Sequence, residues 1–128
     1  MSSNDTSWAR QLGVFDLETT GVDVSRDRIV TAHVGVLDAD GTIIRQRTWL
    51  ADPGVDIPAG AQAVHGISTA HAQAYGRPAA AVIGEIVDTL RAIFADGLTV
   101  VAYNAPFDFS LLKHEAVRYG IPPILAPA

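Results

Sequence analysis

Val14-Phe15-Asp16-Leu17-Glu18-Thr19-Thr20-Gly21 is an apolar run that ends in two carboxylates one residue apart, followed by a Thr-Thr-Gly turn. The run predicts a β-strand over Leu12 to Glu18. Residues i and i+2 of a strand project to one face. Asp16 and Glu18 would then stand side by side, roughly 7 Å apart along the backbone. Two acids on one face of an apolar strand repel unless a cation lies between them. Carboxylate oxygens of this kind suit Mg²⁺ or Mn²⁺. The bland alternative, a solvated strand end, leaves the apolar flanks and the turn unexplained.

Working outward, Arg28 to Leu37 is rich in β-branched residues and predicts a second strand. Asp38-Ala39-Asp40-Gly41 has hairpin-turn chemistry, and Thr42 to Leu50 predicts a third strand. Ile57 to Tyr75, with Pro58, Gly60 and Gly66, reads as a loop carrying short helical turns. Pro78 to Phe94 is an amphipathic helix, with Val82, Ile83, Ile86, Val87, Leu90, Ile93 and Phe94 on one face. Asp96-Gly97 ends it. Leu98 to Ala102 is a short apolar strand, expected to be buried and parallel to an earlier one because a helix precedes it. Phe107 to Tyr119 predicts a further helix, with Pro106 just before it or in its first turn. Ile124-Leu125 is expected to begin another strand. The order gives an α/β mixed sheet with strand order 3-2-1-4.

The 128 residues fit one domain, 1–128, with a loose polar segment over the first ten or so. A hydrophobic fraction of 48% argues for a folded core and against disorder. No cysteine is present, which excludes disulfides and thiolate zinc sites and fits a reducing cytoplasm. No signal peptide and no apolar run of membrane-spanning length is visible, so no membrane partner is expected. The net charge of −5 argues against a general nucleic-acid binder. It leaves room for an enzyme that holds the end of a strand through metal ions.

The second informative stretch is Val100-Val101-Ala102-Tyr103-Asn104-Ala105-Pro106-Phe107-Asp108-Phe109-Ser110-Leu111-Leu112. Asp108 falls in the first turn of a helix that follows a buried strand. If that strand lies beside Leu12–Glu18, Asp108 faces Asp16 and Glu18 across the top of the sheet. Three carboxylates would then surround one or two divalent cations, an arrangement suited to phosphoryl transfer. Two other readings stay open. Asp108 could be a helix N-terminal acid stabilised by the dipole, and Asn104 could cap the helix.

Together these residues resemble the DEDD 3′–5′ exonucleases, the DnaQ-like group of proofreading and RNA-trimming enzymes that includes DNA polymerase III epsilon. Phe15-Asp16-Leu17-Glu18-Thr19-Thr20-Gly21 is similar to the group's first motif. Asn104-Ala105-Pro106-Phe107-Asp108, with Leu111-Leu112, is similar to its second. Val64-His65-Gly66-Ile67-Ser68 between them resembles its His-Gly-Ile segment. The resemblance implies an RNase H-like fold. It also implies hydrolysis of the terminal phosphodiester at a 3′ end to release nucleoside monophosphates. It makes Asp16, Glu18 and Asp108 catalytic metal ligands in a two-metal site for Mg²⁺ or Mn²⁺. Leu17 and Thr19 would contact the terminal nucleotide, His65 would line its pocket, Asn104 would lie near the penultimate nucleotide, and Phe107 would pack or help form the pocket. The expected partner is the 3′ end of nucleic acid, single-stranded DNA above all, with a DNA polymerase or repair complex as its setting.

One departure accompanies the resemblance. The group carries a third motif well beyond the second, with a His or Tyr general base and a fourth Asp. Only twenty residues follow Asp108, and none is Asp. His114 lies too close to Asp108 in the chain to be that base. The chain is therefore expected to be the N-terminal part of an exonuclease domain, lacking the last strand and helix. A catalytically inactive nucleic-acid- or partner-binding module and an RNA-trimming exoribonuclease are the alternatives. His33 reads as structural, His71 and His114 as surface residues, and Trp8 and Trp49 as packing residues.

Overall fold

In the computed structural model, residues 11–122 and 124 are described. The chain forms β1 (Leu12–Thr19), β2 (Ile29–Leu37), β3 (Ile43–Asp52), α1 (Ala59–His65), α2 (Thr69–Tyr75), β4 (Arg77–Pro78), α3 (Ala79–Ala95), β5 (Thr99–Val101) and α4 (Ala105–Arg118). The strands make one mixed sheet in the order β4-β3-β2-β1-β5. β1, β2 and β3 form an antiparallel meander, and β5 runs parallel to β1 with Leu12 opposite Thr99 and Val14 opposite Val101.

The period of two in β1 decides which side chains meet the core. Phe15 and Leu17 are buried with Ala32, Val34 and Val36 of β2, under Ile83, Ile86 and Leu90 of α3 and Leu111 and Leu112 of α4. Phe109 of α4 packs its ring 5.3 Å from that of Phe15. Truncating a fully buried Ile or Leu in such a layer removes about 2–5 kcal/mol. Asp16 and Glu18, the alternate residues, therefore project from the other face of β1. A smaller cluster of Val30, Ile57 and Ala72 anchors α1 and α2, with Ile67 packed against it.

The β2–β3 hairpin closes through Asp38. Its Oδ1 accepts the amides of Asp40 and Thr42, while Gly41 takes the left-handed φ of 81° that the turn requires. The α3 helix ends as its sequence predicts, at Asp96 and a left-handed Gly97.

The sequence reading is corrected in four places. β5, expected to be buried, is an edge strand with Thr99 and Val101 exposed and Val100 half-buried, because among the described residues it has a neighbour on one side only. The sheet has a fifth, edge strand at Arg77–Pro78, parallel to the end of β3, so Pro78 precedes α3 instead of lying in its first turn. Gly76 makes that pairing possible, because a Cβ there would lie 2.4 Å from the Ala72 carbonyl oxygen and 2.5 Å from the Asp52 amide. Proline suits such an edge, since it has no amide to donate. β3 runs two residues further than Leu50, to Asp52. α4 starts earlier than Phe107, at Ala105, with Pro106 in the first turn where its missing N–H is harmless. Ile124 lies outside any strand; Leu125, the N-terminal segment and Trp8 lie outside the described residues.

Candidate active site

The parallel pairing of β1 with β5 brings the two acidic motifs to one end of the sheet. Asp16 and Glu18 lie near the C-terminal end of β1, and the chain leaving β5 turns through Tyr103 and Asn104 into α4, whose first turn holds Asp108. Asp108 is buried, at 6% exposure, whereas Asp16 is exposed and Glu18 half-buried. Burial pushes the Asp108 carboxyl up, and the neighbouring Asp16 charge adds to it, so that it titrates near about 6 against the ordinary 3.8.

The acids of this chain differ in what their carboxylates receive. Asp23, Asp27, Asp38, Asp52, Glu85, Asp88, Asp96 and Glu115 all accept hydrogen bonds. Among the described residues, the acids whose carboxylates take no donor are Asp16, Glu18, Asp108 and the exposed Asp40 and Asp56. No three His, Cys, Asp or Glu side chains converge among the described residues as they would around an ion. Like-charged carboxylates do not crowd together unaided. The donor set nevertheless fits a divalent ion: it consists of hard oxygens with no protein donor competing for them, on a rigid strand and a helix.

The turn after Glu18 is braced from three sides. Thr20 donates its hydroxyl to Asp27 Oδ1 at 2.9 Å, and Asp27 Oδ2 accepts the Asp23 amide at 2.8 Å. The Ser25 hydroxyl on Asp23 holds that carboxyl below its usual value. A Cβ at Gly21 would fall 2.5 Å from Asp27 Oδ2, so any larger residue there must displace the Asp27 carboxylate from its bonds to Thr20 and Asp23. Thr19 donates its hydroxyl to the Gly21 carbonyl at 2.7 Å. On the second side, the Ile67 amide donates to His65 Nδ1, which leaves Nε2–H to donate to the Thr19 carbonyl at 3.1 Å. On the third, buried Glu115 of α4 accepts the Ile29 amide at 3.0 Å and pairs with Arg118, whose guanidinium also donates to the Ser25 carbonyl.

Leu17, Glu18, Thr19, Val22, Val64 and His65 line a cleft of about 310 Å³ beside this turn. That volume lies within the range of small-ligand pockets, roughly 300–1,000 Å³. The structure thus places Leu17, Thr19 and His65 together at the cleft. Phe107 packs against the core instead of lining it. Asn104 occupies the N-cap position of α4, yet its side chain makes no capping bond. His33, opposite Asp16 in the ladder, hydrogen-bonds Gln46, and His114 bonds the Ser110 carbonyl one turn back in its own helix. Sequence reasoning missed Glu115 as the strut between α4 and the start of β2. A lone Glu among the polar residues of a helix gives no signal of burial. It also passed over Val22 and Val64. Val64, 80% exposed beside His65, carried the signal of an apolar residue with no core to join.

A mixed sheet with both helices α3 and α4 on one face, and carboxylates at the end of its parallel β1–β5 pair, defines an RNase H-like domain. The exonuclease family (RNase_T) matches residues 14–125, and the chain belongs to that family. It is 37% identical over 109 residues to a DNA polymerase III subunit epsilon-like protein of Rhodobacter capsulatus, covering 84% of this chain and 15% of that protein. It is 29% identical over 114 residues to the PolC-type DNA polymerase III of Streptococcus agalactiae, covering 89% of this chain and 7% of the relative. The fold matches exonuclease I of E. coli in complex with a dT13 oligonucleotide at a TM-score of 0.68 and 21% identity, over 88% of this chain and 25% of that one. Exonuclease I from Methylocaldum szegediense matches at a TM-score of 0.70 and 25% identity, over 88% and 24%. The chain thus spans a quarter or less of the length of these proteins.

Proposed function

We propose that this chain carries the acidic site of a metal-dependent 3′–5′ exonuclease acting on single-stranded DNA and releasing nucleoside monophosphates. The observation that carries the reading is the treatment of the acids. Asp16, Glu18 and Asp108 are left without donors, and Asp108 is buried where its ionised form is disfavoured, beside a second negative charge. At neutral pH that arrangement gains stability when a cation is supplied.

Asp16, Glu18 and Asp108 would hold Mg²⁺ or Mn²⁺. When bound, such ions supply an activated water and charge stabilisation at the leaving oxygen. The protein's own contribution is positional. The cleft of Leu17, Thr19, Val22, Val64 and His65 would take the terminal nucleoside against apolar side chains. His65, fixed by two backbone partners, holds the β1 turn in place. Asn104, with its amide uncommitted, would meet the next nucleotide. The relatives named as polymerase III components support DNA as the substrate and a polymerase as the setting.

The test is incubation of the chain and its Asp16→Ala variant with 5′-labelled single-stranded DNA and RNA and Mn²⁺. The expected result is a ladder shortened from the 3′ end in the parent. Loss of several kcal/mol of charge stabilisation should slow the variant by at least about 10³-fold. Immediate release of the labelled nucleotide would reverse the polarity. A preference for the RNA oligomer would move the substrate to RNA. Metal-dependent strand binding without turnover in either protein would establish a binding module instead.

A further inference from the structure

Tyr103 is the most exposed large hydrophobic side chain among the described residues, at 102%, and nothing in the fold uses it. It lies between β5 and α4, next to Asn104 and five residues before Asp108. In the parallel ladder Val14 stands opposite Val101, so Asp16 and Tyr103 are each two residues beyond the same pair. The aromatic ring is therefore attached at the acidic end of the sheet, following Val101, itself 41% exposed.

The cations of the chain point the same way by what they already do. Arg45, Arg47, Arg77, Arg91 and Arg118 each bond a carboxylate of this chain, and Arg28 donates to the Pro53 carbonyl. Among the described residues only Arg26 and Lys113 lack such a partner. With a net charge of −5, the chain has little with which to grip a phosphate backbone. Base stacking on aromatic side chains is the other general means of holding a single strand, and it tolerates any sequence.

We propose that Tyr103 is a stacking platform for the base next to the reacting 3′ end, and that stacking, more than charge, holds the strand. The proposal rests on the 3′-exonuclease reading above. It makes the preferred substrate an unpaired end with at least two intact bases.

The experiment is equilibrium binding of 5′-fluorescein-labelled dT oligomers in Ca²⁺, read by anisotropy, for the chain, Tyr103→Ala and Tyr103→Phe. Thermal unfolding checks that both variants fold. Tyr103→Ala should weaken binding roughly fivefold to a hundredfold, while Tyr103→Phe stays within about twofold of the parent. An oligomer abasic at its second position from the 3′ end should lose affinity for the parent by a similar factor. With two cations on the strand, the number left without a carboxylate or carbonyl partner among the described residues, log K should fall with log salt at a slope of about −1.4. Equal affinity of Tyr103→Ala and parent, or a much steeper salt slope, overturns the proposal. Hydrolysis of methyl 4-nitrophenyl phosphate by the parent in Mn²⁺ tests the underlying chemistry without a base to stack. Hydrolysis with no strand binding removes the stacking role alone. Neither hydrolysis nor binding removes both readings.

Discussion

Glu85 on α3 and Asp108 on α4 are both carboxyls on helices that cover the same sheet, and their surroundings are opposite. Glu85 receives both Arg77 guanidinium nitrogens, Arg47 and the indole N–H of Trp49, and titrates near about 2. Asp108 is more deeply buried, receives no donor and titrates near about 6 beside Asp16. The first arrangement joins β3, β4 and α3. The second stores unfavourable charge at the end of β1. Where the fold uses a carboxylate for cohesion it surrounds it with donors; at buried Asp108 it supplies none. That difference separates Asp108 from the structural acids Glu85 and Glu115 better than burial does.

Glu115 tests the rule most severely, because it is buried like Asp108 but bonded like Glu85. It sits at 1% exposure, accepts the buried Ile29 amide and pairs with Arg118. Glu115→Ala leaves a buried N–H and a half-buried guanidinium without partners, which should lower stability by about 2–4 kcal/mol. Denaturant unfolding at neutral pH measures it. A change below about 1 kcal/mol would mean that this acid is not the strut between α4 and the β1–β2 loop. Glu115→Gln, which keeps an acceptor for Ile29, should recover part of the loss.

Asp108→Asn should have the opposite sign. An acid whose folded pKa is raised from 3.8 to about 6 destabilises the ion-free fold above pH 6, and the penalty fades as pH falls from about 6 to about 4. Replacing it with Asn at pH 7 in chelator should therefore stabilise the chain, by an order of about 2 kcal/mol, with no gain left below pH 4. Added Mn²⁺ should raise the unfolding temperature of the parent and leave the variant unmoved. A variant less stable than the parent at pH 7 would show that Asp108 holds the structure together, and the contrast with Glu85 would collapse.

Local periodicity carried most of the fold. The meander, α3 and the parallel strand before α4 each announce themselves in apolar spacing, and the two acidic motifs follow from strand alternation and helix start. What was not legible depended on distant partners. The two-residue β4 has no pattern of its own and exists because Gly76 lets the chain pass close to Asp52. His65 looked like a pocket residue from its motif; its two backbone partners, Thr19 and Ile67, emerge only when α1 docks beside β1. Glu115 and Asp108 both read as helix acids, and only the folded surroundings show that one is bonded and the other is not.

Glu85 itself gives the smallest effect and the finest test. Its pKa is depressed from 4.5 to about 2, first by the hydrogen bonds from Arg77, so it stabilises the fold above pH 4.5 and the contribution is lost as pH falls from about 4.5 to about 2. Its arginine partners are half exposed, at 51% and 53%, so salt should weaken the pair. Glu85→Gln keeps an acceptor for Trp49 and should lower the unfolding temperature modestly at low salt, less at high salt, and not at all near pH 2. An effect independent of salt would assign the contribution to packing of the Glu85 stem against Trp49. Taken with Asp108, the signs oppose: acidification from pH 6 relieves one carboxyl before it undoes the other. On these two groups alone, the ion-free chain should be most stable near pH 4 to 5, and divalent ions should move that optimum upward by making the ionised Asp108 favourable.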